Sequence, residues 1–541
     1  MAIALVVIYL WRPLFHFIFY DMFHSPGAFI FWTIALVAAT VLWFMPPLEV
    51  DRVEELDRSM FAKLSIFALV LVAAALLSGL YALPANAVEE RTLAQETMAD
   101  GEEIDEFPAV NADNARIAPR PVADVQSRGS VSYRQYRLGT SDIARMEDGR
   151  LAWSYPIQPD GFRNMLRENQ QGVILSDMTT IENRELQAVD DREFAVGEGM
   201  LLHRGSTWNL RKSDYGAQYR DDAVEFIHDG EPYMAYPKTG HEWHLTPIPH
   251  TTPTWEGVAL VHPDGTIEQF SPEEARESEI LDGQRLYPLY NTQRRMESLG
   301  YREGIINQLP VVGSHVNEVE IANLPAGAGN SQPFVIDLAG EQMSYVTALE
   351  PFGADTRGLD EVWFANAETG SFRYFGTERE TLLGPERAMG LVRGADTRTD
   401  WDTADSQGEF SVVEPVPVTV GGDLWWHAKV VPADSTDITR NVFVNADTRE
   451  TIELVSTEAV KQFVAGEDID AIEDQVETEP AEGEENIDYY IVIEDEDGEV
   501  IDRIPIEEGE EANVNFVPAE DVAADDRDNG SEDSDADSPE G

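Results

Sequence analysis

The sequence contains no cysteine. That excludes disulfides, thiolate nucleophiles, thiol redox chemistry and every cysteine-ligated zinc or iron–sulfur site. An exported domain built from this chain has to be held by core packing. Positive charge is also scarce: 38 Lys+Arg face 101 Asp+Glu, for a formal net charge of −63. No basic stripe is present to neutralise phosphates, so nucleic acid is not expected as a partner. A compact fold carrying this charge repels itself in dilute buffer. In molar salt the Debye length falls to roughly 3 Å and most of that repulsion is screened. The acidity is not confined to one tail, since Asp221-Asp222, Glu273-Glu274 and the run from Asp396 to Asp405 share it. The composition is that of a halophile of the haloarchaeal type.

Familiar catalytic signatures are missing as well. There is no GxSxG, Walker loop or GxGxxG, and AGAGNSQP from Ala326 reads as a flexible loop. His241, His244, His250 and His262 crowd together, but HEWH lacks the i, i+4 spacing of a helical HExxH site. On a strand, residues i and i+3 point to opposite faces. Acidic pairs such as Asp190-Asp191 and Asp525-Asp526 read as solvated surface, and Asp495-Glu-Asp-Gly498 as a turn rather than an EF-hand loop. Asn529-Gly-Ser is the only N-glycosylation sequon. No catalytic residue, metal ligand or cofactor is assigned.

What is there begins with apolar runs at the N-terminus. Residues 27–46 and 64–84 are free of charge and long enough for about 30 Å of hydrocarbon. A third run, Ala2 to Tyr20, is interrupted by Arg12, Pro13 and His16; it reads as a span of about 2–20 or as an interfacial helix. The loop from Pro47 to Lys63 carries Arg52, Arg58 and Lys63, whereas residues 21–26 carry no Lys or Arg. The positive-inside rule places the former loop in the cytoplasm. Two or three spans both leave the bulk of the chain outside, and with three the N-terminus lies inside. Ala85-Asn86-Ala87 resembles a signal-peptidase site, although retention of the anchor (residues 1–87) is the expectation.

Length allows roughly three or four domains at about 150 residues each. Residues 88–129 are polar, acidic and proline-dotted, and read as a linker. Residues 130–465 are rich in Trp, Tyr, Val and Gly, and residues 466–541 are expected to be a disordered acidic tail. Within the tail, YYIVIEDEDGEVIDRIPI (489–506) alternates around Asp497-Gly498 and predicts a hairpin.

The central region repeats itself. Four stretches, near 151–186, 241–270, 344–375 and 424–454, share an aromatic strand meeting a proline, a polar connector, a second strand, a turn and a third strand. Their turns align: His262-Pro-Asp-Gly-Thr, Asn366-Ala-Glu-Thr-Gly and Asn445-Ala-Asp-Thr-Arg. Spacing is irregular, at roughly 80 to 100 residues, unlike a solenoid's fixed period. A lone hairpin is marginal in water, so each apolar face predicts a covering helix. Candidates are Pro272 to Asp282, Asn291 to Leu299, Pro385 to Val392 and Ser456 to Val464, and Ser271-Pro272-Glu273-Glu274 is a good helix start. Trp153, Trp243, Trp363, Trp425 and Trp426 recur at related places; they either line a carbohydrate or peptide groove or pack in the core.

VWFANAETGSFRYF and NVFVNADTRETIEL resemble the final hairpin of PepSY-type repeats, a strand, Asp-x-x-Thr-Gly and a strand, over about 30 residues per unit. Asn366 and Asn445 stand where that family prefers Asp, and Arg449 replaces its glycine. The resemblance implies a helix on an antiparallel sheet, placed outside the membrane as an interaction or inhibitory module attached to a span.

The expectation is an α+β chain: transmembrane helices, tandem antiparallel-sheet-plus-helix modules, and an acidic tail. Its partners are the lipid bilayer and other envelope proteins. The reading is a multi-pass cell-membrane protein whose extracytoplasmic part binds or scaffolds without catalysis. The alternatives are a membrane-tethered extracellular hydrolase whose site is assembled from distant loops, and a sensory ectodomain, for which no cytoplasmic receiver is visible.

Overall fold

The computed structural model describes residues 9–469 apart from 46–52, 132–133, 182–183, 326, 341–342, 354–357, 378–381, 404–407, 434 and 436, together with residue 472 and strands at 487–494 and 500–507. The chain divides into two units, Met1–Ile469 and Asp470–Gly541. In the second, Ile487–Glu494 pairs antiparallel with Val500–Glu507, the hairpin expected at 489–506. The rest of the expected acidic tail beyond Ile472 lies outside the described residues.

Three helices open the first unit: α1 (His16–His24), α2 (Pro26–Phe44) and α3 (Val53–Asp100). Two stretches are long and apolar enough to cross a membrane, Pro26–Phe44 and Phe61–Asp100. At 1.5 Å per residue α2 is about 28 Å long, close to the hydrocarbon thickness. The two approach closely where Ser78 donates to the Gly27 carbonyl at 2.5 Å, the small residue allowing the backbones to meet. The described part of the run Ala2–Tyr20 is not one helix: a 3₁₀ turn at Arg12–Phe15 breaks it, and residues 2–8 lie outside the description. Pro13 is the cause, since it lacks the N–H that a continuous helix would use.

Residues 88–129 are not a linker. Helix α3 runs on to Asp100, with Leu93, Ala94 and Thr97 completely buried. Gly101–Glu103 then adds a parallel edge strand to Phe372–Gly376, and Arg120–Ser130 is a helix. The acids that made this segment look solvated have partners far away in sequence. Arg294 reaches Glu90 at 2.6 Å and Glu89 at 3.3 Å, and Arg295 reaches Asp100 at 2.7 Å. Ala85–Ala87 lies in mid-helix.

Each of the four repeated stretches lies on its own sheet, and each sheet contains an antiparallel meander of four strands. The first uses Asp142–Arg145, Leu151–Pro159, Val173–Asp177 and Leu186–Val189; the second Val224–His228, Glu231–His244, His250–Val261 and Ile267–Phe270. The third uses Phe334–Asp337, Met343–Pro351, Glu361–Asn366 and Phe372–Gly376; the fourth Phe410–Val420, Asp423–Pro432, Arg440–Asn445 and Thr451–Leu454. The opening strand of each meander was not part of the expected pattern. The stretch from His241 is also displaced, because its aromatic strand begins at Glu231 and continues into a long hairpin. Expected helices appear at Pro272–Glu277, Leu289–Ser298, Pro385–Ala395 and Thr457–Val464. Ser271 and Glu274 form a full capping box.

The sheets share a strap as well as a meander. Just after the second-to-third turn residue, the Met178 carbonyl accepts the amides of Ile117 and Ala118. The Ala367 carbonyl accepts those of Leu286 and Tyr287, and the Ala446 carbonyl that of Leu383. In the second sheet the Pro263 carbonyl accepts Ala195 N–H at 2.8 Å. In the first, third and fourth sheets this strap leads directly into a helix, at Arg120, Leu289 and Pro385.

Candidate functional site: an arginine-lined cleft

Four of the five tryptophans considered for binding are core residues. Trp153, Trp363, Trp425 and Trp426 are at most 6% exposed, so they do not line a groove. Two of them tie sheet to strap, Trp153 Nε1 donating to the Ala118 carbonyl at 2.9 Å and Trp426 Nε1 to that of Leu383 at 2.6 Å. In the third sheet Tyr345 does the same, its hydroxyl donating to the Tyr287 carbonyl at 2.8 Å. A buried indole N–H needs an acceptor, and the strap carbonyl supplies one just before the helix starts. Trp243 alone is substantially exposed, and its Nε1 donates to the Phe23 carbonyl at 2.9 Å.

The histidines disperse. His241 faces α1, with Nδ1 2.8 Å from the Tyr20 hydroxyl, and burial beside His24 pushes its pKa down to about 4. His244 stacks on His250 at 4.9 Å, with Glu96 Oε1 3.5 Å away. His262 packs edge-on against Tyr233 and lies 3.4 Å from Glu268. No three His, Asp or Glu side chains among the described residues converge as a metal requires.

A set of buried acids lies between the first and second sheets. Glu198 accepts from Gln158 Nε2 at 2.9 Å and from the Tyr236 hydroxyl at 3.1 Å, and Ser154 donates to Glu225 at 3.0 Å. Burial raises Glu198 to about 7, and burial together with Glu198 holds Glu225 well above the carboxylate range. Asp221, also buried, is raised to about 6. The nearest cavity, about 170 Å³, includes Glu198 and Asp221 in its wall but not Glu225. Glu198 and Glu225 are hydrogen-bonded into the seam between the sheets, and Glu225 has no exposed face to offer a substrate.

A larger cleft lies elsewhere. It encloses about 690 Å³ between the helix Arg120–Ser130 and the loop entering the first sheet. Its wall holds four guanidinium groups, from Arg120, Arg128, Arg134 and Arg137, against one carboxylate, Asp124. In a chain of net charge −63 that is a reversal of sign. Asp124 sits among them, 3.9 Å from Arg120 and 3.6 Å from Arg128, and accepts from the Tyr155 hydroxyl at 2.9 Å. Burial, reinforced by this carboxylate, raises the Tyr155 phenol, which stays protonated as a donor. The side chains of Arg128 and Arg137 are mostly exposed, and among the described residues Arg137 pairs with Asp160 at 3.8 Å. These guanidinium forks retain unused donors, in a geometry that matches carboxylate, phosphate or sulfate.

The sequence held a signal for this cleft. Between Arg116 and Arg137 there are five arginines and one acid, Asp124. The acidic stretch immediately before, read together with Arg116, Arg120 and Arg128 as a linker over residues 88–129, obscured it.

No family model, curated protein or solved structure matches the chain.

Proposed function

We propose that this chain is a membrane-anchored, extracytoplasmic binding or scaffold protein of a halophile's cell envelope, non-enzymatic, which holds a carboxylate-rich segment of an envelope partner in the arginine-lined cleft. The observation that carries the reading is the concentration of four arginines around one open cleft in an otherwise strongly acidic chain. At molar salt, long-range attraction is screened within roughly 3 Å. Recognition then depends on guanidinium forks in direct contact, and a cleft presenting several of them is suited to that regime.

Two further observations support the setting. The apolar helices provide an anchor, and the positive-inside rule puts Arg52, Arg58 and Lys63 in the cytoplasm and the sheets outside. The recurring meander and strap favour tandem copies of one unit, and the PepSY-type resemblance of their final hairpins agrees with an interaction role outside the membrane. The hydrolase reading gains no specific support, because Glu225, whose carboxyl is held well above its ordinary range, has no exposed face.

The test uses the full chain in detergent at molar KCl, with labelled poly-L-glutamate followed by fluorescence anisotropy. Saturable binding weakened at least tenfold in Arg128→Glu/Arg137→Glu is the expected result. Preference for polyphosphate or a sulfated glycan would replace the carboxylate assignment, and absence of saturable binding by all three would refute the cleft as a binding site. Protease shaving of intact cells tests the topology: peptides from 130–460 are expected, and their release only after lysis would invert it.

A further inference from the structure

We propose that residues 9–24, together with the tip of the long hairpin in the second sheet, form an aromatic collar. It lies in the headgroup–acyl boundary of the leaflet facing the sheets, so that the described chain before α2 is on the same side as the sheets and the anchor has two spans. This rests on the membrane-anchor reading above.

One face of the segment is fastened to the sheet-bearing part. Arg12 Nη2 donates to the Lys212 carbonyl at 2.8 Å, and the Tyr215 hydroxyl donates to the Arg12 carbonyl at 3.0 Å. His16 Nε2 lies 3.1 Å from the Ala217 carbonyl, and the Tyr20 hydroxyl donates to the Thr239 carbonyl at 3.1 Å. At the end of α1, Thr251 Oγ1 donates to the His24 carbonyl at 2.6 Å. His16 and Tyr20 are buried by these contacts. A segment held this way by residues 212–251 cannot cross to the opposite side of the bilayer.

The opposite face is apolar and uncovered. Leu10, Trp11, Leu14, Phe17 and Phe23 are between 45% and 57% exposed. Aromatic side chains of this kind favour the membrane interface, where an amphipathic helix buries its apolar face at the headgroup level. What covers them follows from continuity, since only Ser25 separates α1 from α2. The hairpin tip is at the same level: Tyr81, near the end of the apolar run of α3, donates through its hydroxyl to the Pro249 carbonyl at 2.6 Å. Leu245 on that tip is 73% exposed. Two spans then return the chain to the side it started from, and Arg52, Arg58 and Lys63 remain on the far side, as the positive-inside rule requires.

The absence of cysteine makes the test direct. Phe17→Cys and Leu245→Cys are labelled with an environment-sensitive fluorophore in the full chain, reconstituted in vesicles of an anionic diether phospholipid. Quenching of both labels by a lipid nitroxide at the headgroup boundary, and not by aqueous iodide, is the expected result. Quenching by iodide alone would overturn the collar, as would a disulfide joining two copies of Phe17→Cys without lipid quenching of the label. In right-side-out vesicles an impermeant maleimide should modify Tyr9→Cys together with Arg387→Cys, and Ser59→Cys only after permeabilisation. Tyr9→Cys reacting only with Ser59→Cys would overturn the topology. Release of the intact chain from vesicles by alkaline carbonate would overturn the anchor reading and the collar with it, whereas the preceding failures strike the collar alone.

Discussion

Arg116 and Glu414, 298 positions apart, form a completely buried ion pair. Arg116 donates through Nε and Nη2 to one Glu414 oxygen at 2.9 and 2.8 Å, and the Arg120 amide donates to the other at 2.9 Å. The same guanidinium lies 4.8 Å over the Trp153 ring and donates to the Val335 carbonyl at 3.1 Å. One side chain thus joins the first, third and fourth sheets. Removing one partner of such a pair strands a charge in the interior. Arg116→Ala and Glu414→Ala should each cost about 3–5 kcal/mol, read as a loss of denaturant midpoint in molar salt. A cost under about 1 kcal/mol would show that the sheets do not depend on this junction.

Trp426 and Trp153 hold their straps by a single indole hydrogen bond each. Phenylalanine at either position keeps much of the ring and removes the donor, leaving a buried carbonyl without its partner. The expected loss is about 1–3 kcal/mol in thermal or denaturant unfolding. Trp243→Phe, at an exposed position, should cost much less.

Arg449 adopts φ +65°, where the equivalent position in the third sheet is Gly370 at φ +70°. A side chain at this left-handed position costs about 1–2 kcal/mol, partly offset by the greater freedom of glycine when unfolded. Arg449→Gly should therefore stabilise the chain by about 0.5–1 kcal/mol, and the thermal midpoint is the measurement. Gly370→Ala should do the reverse, since its Cβ would run into the Tyr287 ring.

Glu198 titrates at about 7 when folded, against an ordinary value of 4.5, because it is buried. Raising the pH through this window ionises the unfolded chain first, so the contribution of Glu198 to stability is greatest below pH 4.5 and is lost by about pH 7. At about 1.36 kcal/mol for each pH unit, the whole effect is about 3 kcal/mol. Glu198→Gln should flatten the decline between pH 4.5 and 7 and raise the midpoint at pH 7.5. An unchanged pH profile would place the titration elsewhere.

The legible parts of this fold were those with local causes. The runs at 27–46 and 64–84 are apolar without interruption, and their helices follow. Asn366 and Asn445 mark turns because each side chain accepts two backbone amides just ahead of it. Ser271 and Glu274 announced a helix start by their own geometry. The illegible parts depend on distant partners. Glu89, Glu90 and Asp100 looked like linker acids because Arg294 and Arg295 lie some 200 residues away. Phe334–Asp337 is too short to stand out as a strand, yet Asp337 in it accepts from Asn111, Asn114 and Arg145. The tryptophans showed as a pattern, but the role of Trp153 and Trp426 as strap anchors needed the carbonyls of Ala118 and Leu383. The arginine cleft was concealed by the acidic residues just before it.

Helix α3 continues for 16 residues beyond Pro84 before ending at Asp100, about 24 Å at 1.5 Å per residue. It is gripped along that length by Arg294, Arg295 and His250. A load-sharing shaft therefore replaces a leash. The sheets cannot swivel freely above the lipid, and any tilt of the shaft is delivered to them as a rotation of the whole body. Under the function proposed above, a partner approaching from solution would meet the cleft at one height and one bearing, so neighbours crowded on the same surface would present it in register.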